Sequence, residues 1–216
     1  MVTYTKQTCR QDWRCFVLSH RQILRMLDSG QSSRLVQRVL QNGRCGNECV
    51  VAMLCHPGVA APVAVGLSLQ RASELCYGSS TLVDELSRRL LMFQNSDGSF
   101  GNLRCAPNGL RLAATAVAVR GWLSWLDANP NEAFSGNGAD ILGGMGLGLE
   151  ALRHAFDDAQ SVVTHSASWA IVLWQLGDRP EPHQLIDADE LLRTLEAAPH
   201  THVLDELFAY ARAMAA

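Results

Sequence analysis

The chain has 216 residues, 48% of them apolar and 18% charged, and 18 basic against 21 acidic side chains leave a formal charge of −3. No surplus of Lys and Arg is present to neutralise phosphates, which excludes nucleic acid as the main partner. The low charged fraction implies that much of the chain is interior or covered, and an aromatic content of 6% beneath a dominance of Leu and Ala favours helices over sheets.

The opening segment MVTYTKQTCRQDWRC carries no apolar stretch behind a basic start, so the expected location is cytoplasmic. The longest apolar run, Gly58 to Leu69, falls short of the ~18 to 20 residues that a spanning helix needs, so no membrane span is expected. Seven cysteines, at 9, 15, 45, 49, 55, 76 and 105, are odd in number and scattered, and are read as reduced thiols.

Apolar residues recur three and four apart through most of the chain. This spacing predicts helices over 11–28, 32–41, 47–56, 59–75, 81–94, 110–127, 141–156, 161–176, 187–197 and 201–214, all in one domain spanning 1–216. Asn42-Gly43, Ser96-Asp97-Gly98, Asn129-Pro130, Gly177-Asp178-Arg179-Pro180 and Pro199 separate them, each supplying a positive φ or a residue that cannot continue a helix. The polar, Gly-rich stretch 129–140 is expected to be the most flexible connection, or a hinge beside a site. The fold class is all-α.

An internal repeat organises these helices. RLVQRVLQNGRCGN at 34–47 and RRLLMFQNSDGSFGN at 88–102 share a helix ending in Gln, a Gly-containing turn, a Gly-Asn close and a following helix of small residues. The interval is about 50 residues, and THSASWAIVLWQLG from Thr164 follows LAATAVAVRGWLSWL from Leu112 at the same interval. The small residues Ala113, Ala114, Ala116 and Ala118 would let an inner helix approach its partners closely, giving a curved stack of helix pairs.

The segment from Leu90 to Gly101, with Leu90, Gln94, Gly98 and Phe100 in register, resembles the QW-type repeat of the terpenoid cyclase and protein prenyltransferase superfamily. In the first copy Cys45 stands where that pattern has an aromatic residue. The resemblance covers 32–177 and implies an α/α toroid, here a reduced or open ring of four or five hairpins. In this pattern the Gln side chain satisfies end-of-helix backbone groups and the aromatic ring packs over the turn.

The same resemblance directs attention to several constellations. The alkene-protonating cyclases use an Asp-x-Asp-Asp run, and Asp187-Ala188-Asp189-Glu190 is the nearest; its plainer reading is an N-cap at Asp187 with acids in the first turn of a helix. An aspartate-rich run for magnesium and diphosphate has only its first half here, in Asp157 and Asp158, which a helix terminus explains equally well. Protein prenyltransferases hold zinc through Asp, Cys and His at the starts of inner helices, which implies His165 as a ligand, with Glu48-Cys49, or Cys45, in place of the missing Asp-x-Cys partner. A capping histidine is the alternative. Cys55-His56 and Cys76-Tyr77-Gly78 resemble the zinc ligands of lanthionine cyclases in reversed order, and Cys45-Gly46-Asn47-Glu48 resembles a thioester motif with Glu48 in place of its glutamine. Gly143 to Gly148 follows no predicted strand, so tight helix packing suits it better than nucleotide binding.

Trp122, Trp125, Trp169 and Trp174 fall on predicted inner helices, where they would either line a cavity for an apolar ligand or pack as ordinary core. Three functions follow. The first is a toroid binding an isoprenoid-like ligand, leaning towards a terpenoid cyclase or prenyltransferase-like enzyme. Its catalytic groups would be Asp157, Asp158 and His165, with Trp122, Trp125, Trp169 and Thr115 around the ligand and Cys49 and His165 on a metal, zinc or magnesium. The second is a non-catalytic module gripping a protein partner, and the third is a zinc toroid acting on thiols. An incomplete ring would expose two apolar hairpin faces, so a homodimer is also expected.

Overall fold

A computed structural model of the chain describes residues 19–42, 48–75, 81–131, 136–177 and 187–197. Among the described residues there are ten helices: α1 (His20–Asp28), α2 (Ser32–Asn42), α3 (Glu48–Leu54), α4 (Ala60–Glu74), α5 (Thr81–Phe93), α6 (Asn108–Ala128), α7 (Gly136–Phe156), α8 (Ala159–Thr164), α9 (Ser166–Leu176) and α10 (Ala188–Ala197). None of these residues forms a strand; Gln94 and Phe100 make one isolated bridge. The protein is all-α in its described part, and no helix there is long and apolar enough to cross a membrane.

Two boundaries differ from the sequence expectation. Helix α1 begins at His20, because Ser19 is extended and closes a capping box: its hydroxyl accepts from Gln22 N–H, and the Gln22 side chain accepts from Ser19 N–H. Of the predicted 11–28 helix, residues 11–18 lie outside the described residues, as do the predicted helix at 201–214, the turn residues Gly43 and Cys45, and Cys76-Tyr77-Gly78. The expected connection 129–140 is shorter than its composition suggested, because residues from Gly136 onward are already helical. Polar and glycine-rich composition resembles a loop locally, yet Ile141, Leu149 and Leu152 supply an apolar stripe that docks this helix.

Helix α6 organises the packing. It lies against α4 along much of its length and against α9 on its other side, so α4, α6 and α9 form a row flanked by α2, α5, α7 and α10. Small residues explain the closeness. Ala113, Ala114, Ala116 and Ala118 are fully buried, and a Cβ on Gly66 of α4 would stand 2.9 Å from the Val117 carbonyl oxygen. A large core lies on the α1 to α5 side of α6 and includes Trp122 and Trp125. A second forms where α6 meets α7, α8, α9 and α10, around Trp169.

The turn between α5 and α6 is the structural knot expected of Gln94, Gly98 and Phe100. Gly98 has φ 81°, and Phe100 is buried edge-on against Trp122 with ring centroids 5.5 Å apart. The Gln94 amide reaches further than the end of its own helix: its Nε2 donates to Gly98 O at 3.1 Å and to Gly144 O of α7 at 2.7 Å.

Candidate functional site

One cleft gathers polar side chains from four parts of the chain. It has a volume of about 580 Å³, and its walls are the turn residues Asp97 and Ser99, the first two turns of α6, the end of α7, and α8 with its junction to α9. This is the size of a small-molecule site.

The wall on the α6 side is built by a set of hydrogen bonds around Arg111, whose Nε is buried without a hydrogen-bond partner among the described residues. Asp97 Oδ1 accepts from Ser99 N–H at 3.0 Å and from Ser99 Oγ at 2.6 Å, and Asp97 Oδ2 pairs with Arg111 Nη2 at 2.7 Å. The same Arg111 nitrogen donates to Ser99 Oγ. Burial raises the Asp97 carboxyl, but the Ser99 hydroxyl and amide and the Arg111 charge outweigh it and hold the group below its ordinary value. Thr115, one turn along α6 from Arg111, accepts from Phe100 N–H at 3.0 Å and donates to Arg111 O at 2.7 Å. Thr115 therefore fixes the turn to the helix, while Arg111 and Asp97 form a neutralised pair at the cleft.

The opposite wall comes from α7 and α8. Asp158 accepts from Gln160 N–H at 3.1 Å and N-caps α8, and His165 stands between α8 and α9, ending the first and opening the second. His154, Gln160, Ser161 and Thr164 complete the polar rim, over a floor of Leu112, Ala151, Leu152 and Ala155. Ser161 Oγ also accepts from the Trp169 indole at 3.4 Å, tying this rim to the core below.

Thr115, Asp158 and His165, expected at a site from sequence, thus share one cleft, and the starts of α6 and α9 open onto it. Asp157 is turned to Arg153, 3.9 Å away, and is absent from the lining. The tryptophans sit elsewhere: Trp122 and Trp169 are fully buried, Trp125 is almost so, and none lines this cleft. Trp174 departs from its expected inner position, being 49% exposed on the outer side of α9. Cys49 lies in the first turn of α3, and its side chain is outside the described residues. Among the described residues no group of three or more His, Cys, Asp or Glu is placed to hold a metal ion. Asp158 is committed to its cap and Asp157 faces a cation, so magnesium would have to displace a local partner from each.

The other motifs resolve into structure. Asp187 accepts from the amides of Asp189 and Glu190 at 2.9 and 3.0 Å, the N-cap its position suggested. Cys55 is buried and its thiol is pushed up by burial; it donates to Ser33 O while Ser33 Oγ donates to Cys55 O. His56 is buried, its pKa lowered by burial, and its Nδ1 accepts from Gly58 N–H at 3.1 Å.

Arg111, Asp97, Ser99 and His154 were not singled out from the sequence. The Arg111 and Thr115 pair, one helical turn apart behind a Gly-containing turn, is the signal that could have found them. Comparison with protein-family models, with characterised proteins and with solved structures finds no match.

Proposed function

We propose that the chain is an α/α-toroid-like stack of helical hairpins that binds a small amphipathic molecule in the cleft between α6, α7 and α8. One observation carries this reading: Arg111 and Thr115 of α6, His154 of α7, Asp158 at the start of α8 and His165 at the α8–α9 junction line a single space of about 580 Å³. The row of α4, α6 and α9 with helices outside it supports the toroid-like arrangement, and the Gln94 turn supports the kinship to the QW-type repeat. The ligand's apolar part would lie on Leu112, Leu152 and Ala155, and its polar part would meet the hydroxyl, amide and imidazole groups of the rim.

The chemistry of the rim favours binding over turnover. Arg111 is paired with Asp97, and Asp158 is engaged as the cap of α8, so the groups are arranged to orient a ligand through hydrogen bonds. An isoprenoid-like ligand fits this reading as an amphipathic molecule, with Trp169 packed beneath the Ser161 rim. A thermal-shift screen tests it. Compounds that stabilise the protein should lose their effect in Ala155→Trp, which fills the cleft; stabilisation undiminished in that variant would move the site elsewhere.

A second reading, a protein-interaction module, draws on a different surface. Met92, Phe93 and Leu103 are 83%, 40% and 56% exposed beside Pro57 and Pro62, around a groove of about 660 Å³. A second copy of the chain would be its partner, and Leu103→Asp should then abolish concentration-dependent self-association in sedimentation.

A further inference from the structure

The two halves of α7 are held in place very differently. Its second half buries Leu149 and Leu152 in the core around Trp169 and carries His154 and Ala155 to the cleft. Its first half buries Gly138, Ile141 and Gly144 and rests a half-buried Met145 against both cores, so Ile141 is the one large side chain fully buried there. Leu142 and Leu147 are exposed to 37% and 48%.

The glycines of this half divide by environment. A Cβ on Gly144 would meet Leu91 Cδ2 at 2.8 Å, Gln94 Oε1 at 2.9 Å and the Trp122 ring at 3.1 Å, so contact requires glycine there. A Cβ on Gly136, Gly143 or Gly146 would meet nothing within 4 Å. Those three positions gain no packing from being glycine, and inside the helix Gly143 and Gly146 each leave it weaker than alanine would by about a factor of five in local stability. The segment over Trp122 is thus lightly anchored and intrinsically weak.

The turn that lines the cleft also touches this segment. Asp97 and Ser99 face the cleft, while Gly98 between them is pressed against Leu147, whose carbonyl oxygen occupies the space a Cβ on Gly98 would need. Gln94 joins the two: a single amide nitrogen donates to Gly98 O in the turn and to Gly144 O in the helix.

We propose that residues 136–147 form a lid that opens as a unit separate from global unfolding, and that Gln94 is its latch, coupling the lid to the Asp97–Ser99 turn of the cleft. Closing the lid covers Trp122 and Leu91. A molecule that holds the turn in place holds the latch in place, so filling the cleft and seating the lid favour each other. The consequence for ligands rests on the cleft reading, whereas the lid itself does not.

Native-state hydrogen exchange on the full chain, without ligand, reads the lid directly. Amides of 140–147 should exchange at least tenfold faster than those of 113–123 in α6. Gly143→Ala with Gly146→Ala should slow exchange in this segment by about thirtyfold. Gln94→Met, which keeps the side chain's size and removes its donor, should speed it by about tenfold. Equal protection of 140–147 and α6 in the wild-type chain would overturn the lid, and so would an alanine pair that leaves the segment's exchange where it was. A lid that opens normally with Gln94→Met unchanged would overturn the latch. Because no ligand is present, these outcomes are independent of the thermal-shift test of the cleft.

Discussion

Gly66 on α4 and Gly121 on α6 face each other so closely that a Cβ on Gly121 would stand 2.9 Å from the Gly66 carbonyl oxygen. The contact is with backbone, which cannot rotate away as a side-chain end can. Gly121→Ala should therefore destabilise by about 1 to 3 kcal/mol through overpacking, and Gly121→Val by more. Urea unfolding followed by circular dichroism checks this; an unchanged midpoint would show that the two helices can separate freely.

Gly98 and Gly143 make a matched pair with opposite expected signs. Gly98 combines φ 81° with the Leu147 carbonyl in the path of any side chain, so Gly98→Val should lower stability by at least about 2 kcal/mol. Gly143 is helical and opens to empty space, so Gly143→Ala should raise stability by about 1 kcal/mol. Thermal unfolding of both variants beside the wild-type chain reads the two signs in one experiment.

The pH dependence has two separate windows. His56 is depressed below 6.5 by burial, so the unfolded chain takes up the proton first and stability falls as pH drops below about 6.5. Asp97 is depressed below 3.8, so its contribution is complete above that value and is lost as pH falls further. His56→Gln should flatten the fall in melting temperature as pH drops below about 6.5, and Asp97→Asn should lower the melting temperature throughout the range above about pH 4 and converge on the wild-type chain in the acid limb below it. A pH profile of melting temperature for the three proteins separates these effects.

Much of the helical order could be read from the sequence, because α5 carries an apolar stripe, α4 and α6 are apolar on nearly every side, and the breaks between them fall at Gly or Pro. The Gln94 turn was legible for the same reason, since a glycine with positive φ and an aromatic two residues later have one economical arrangement. What could not be read was direction. Trp122, Trp169 and Trp174 share a residue type and a kind of helix, yet two are fully buried in separate cores and the third is half exposed. Spacing reports a face of a helix but leaves open what that face meets. The start of α7 was hidden because glycine and asparagine read as loop, and only Ile141 and the contacts of Gly144 show why it is helical. The cleft was half legible: Thr115, Asp158 and His165 stood at helix starts, whereas Arg111 and Asp97 gain their meaning from a pairing across 14 residues that spacing does not display.

The most direct measurement of the central claim is a fragment screen followed by amide NMR, with compounds joining a short apolar chain to a hydroxyl, amide or carboxylate group. Binding in the cleft predicts saturable shifts clustered at Ser99, Arg111, Thr115, Gln160 and His165, and their loss in Ala155→Trp. A saturable response confined to the Met92 and Leu103 surface, or no response at these five amides with any compound, would contradict it.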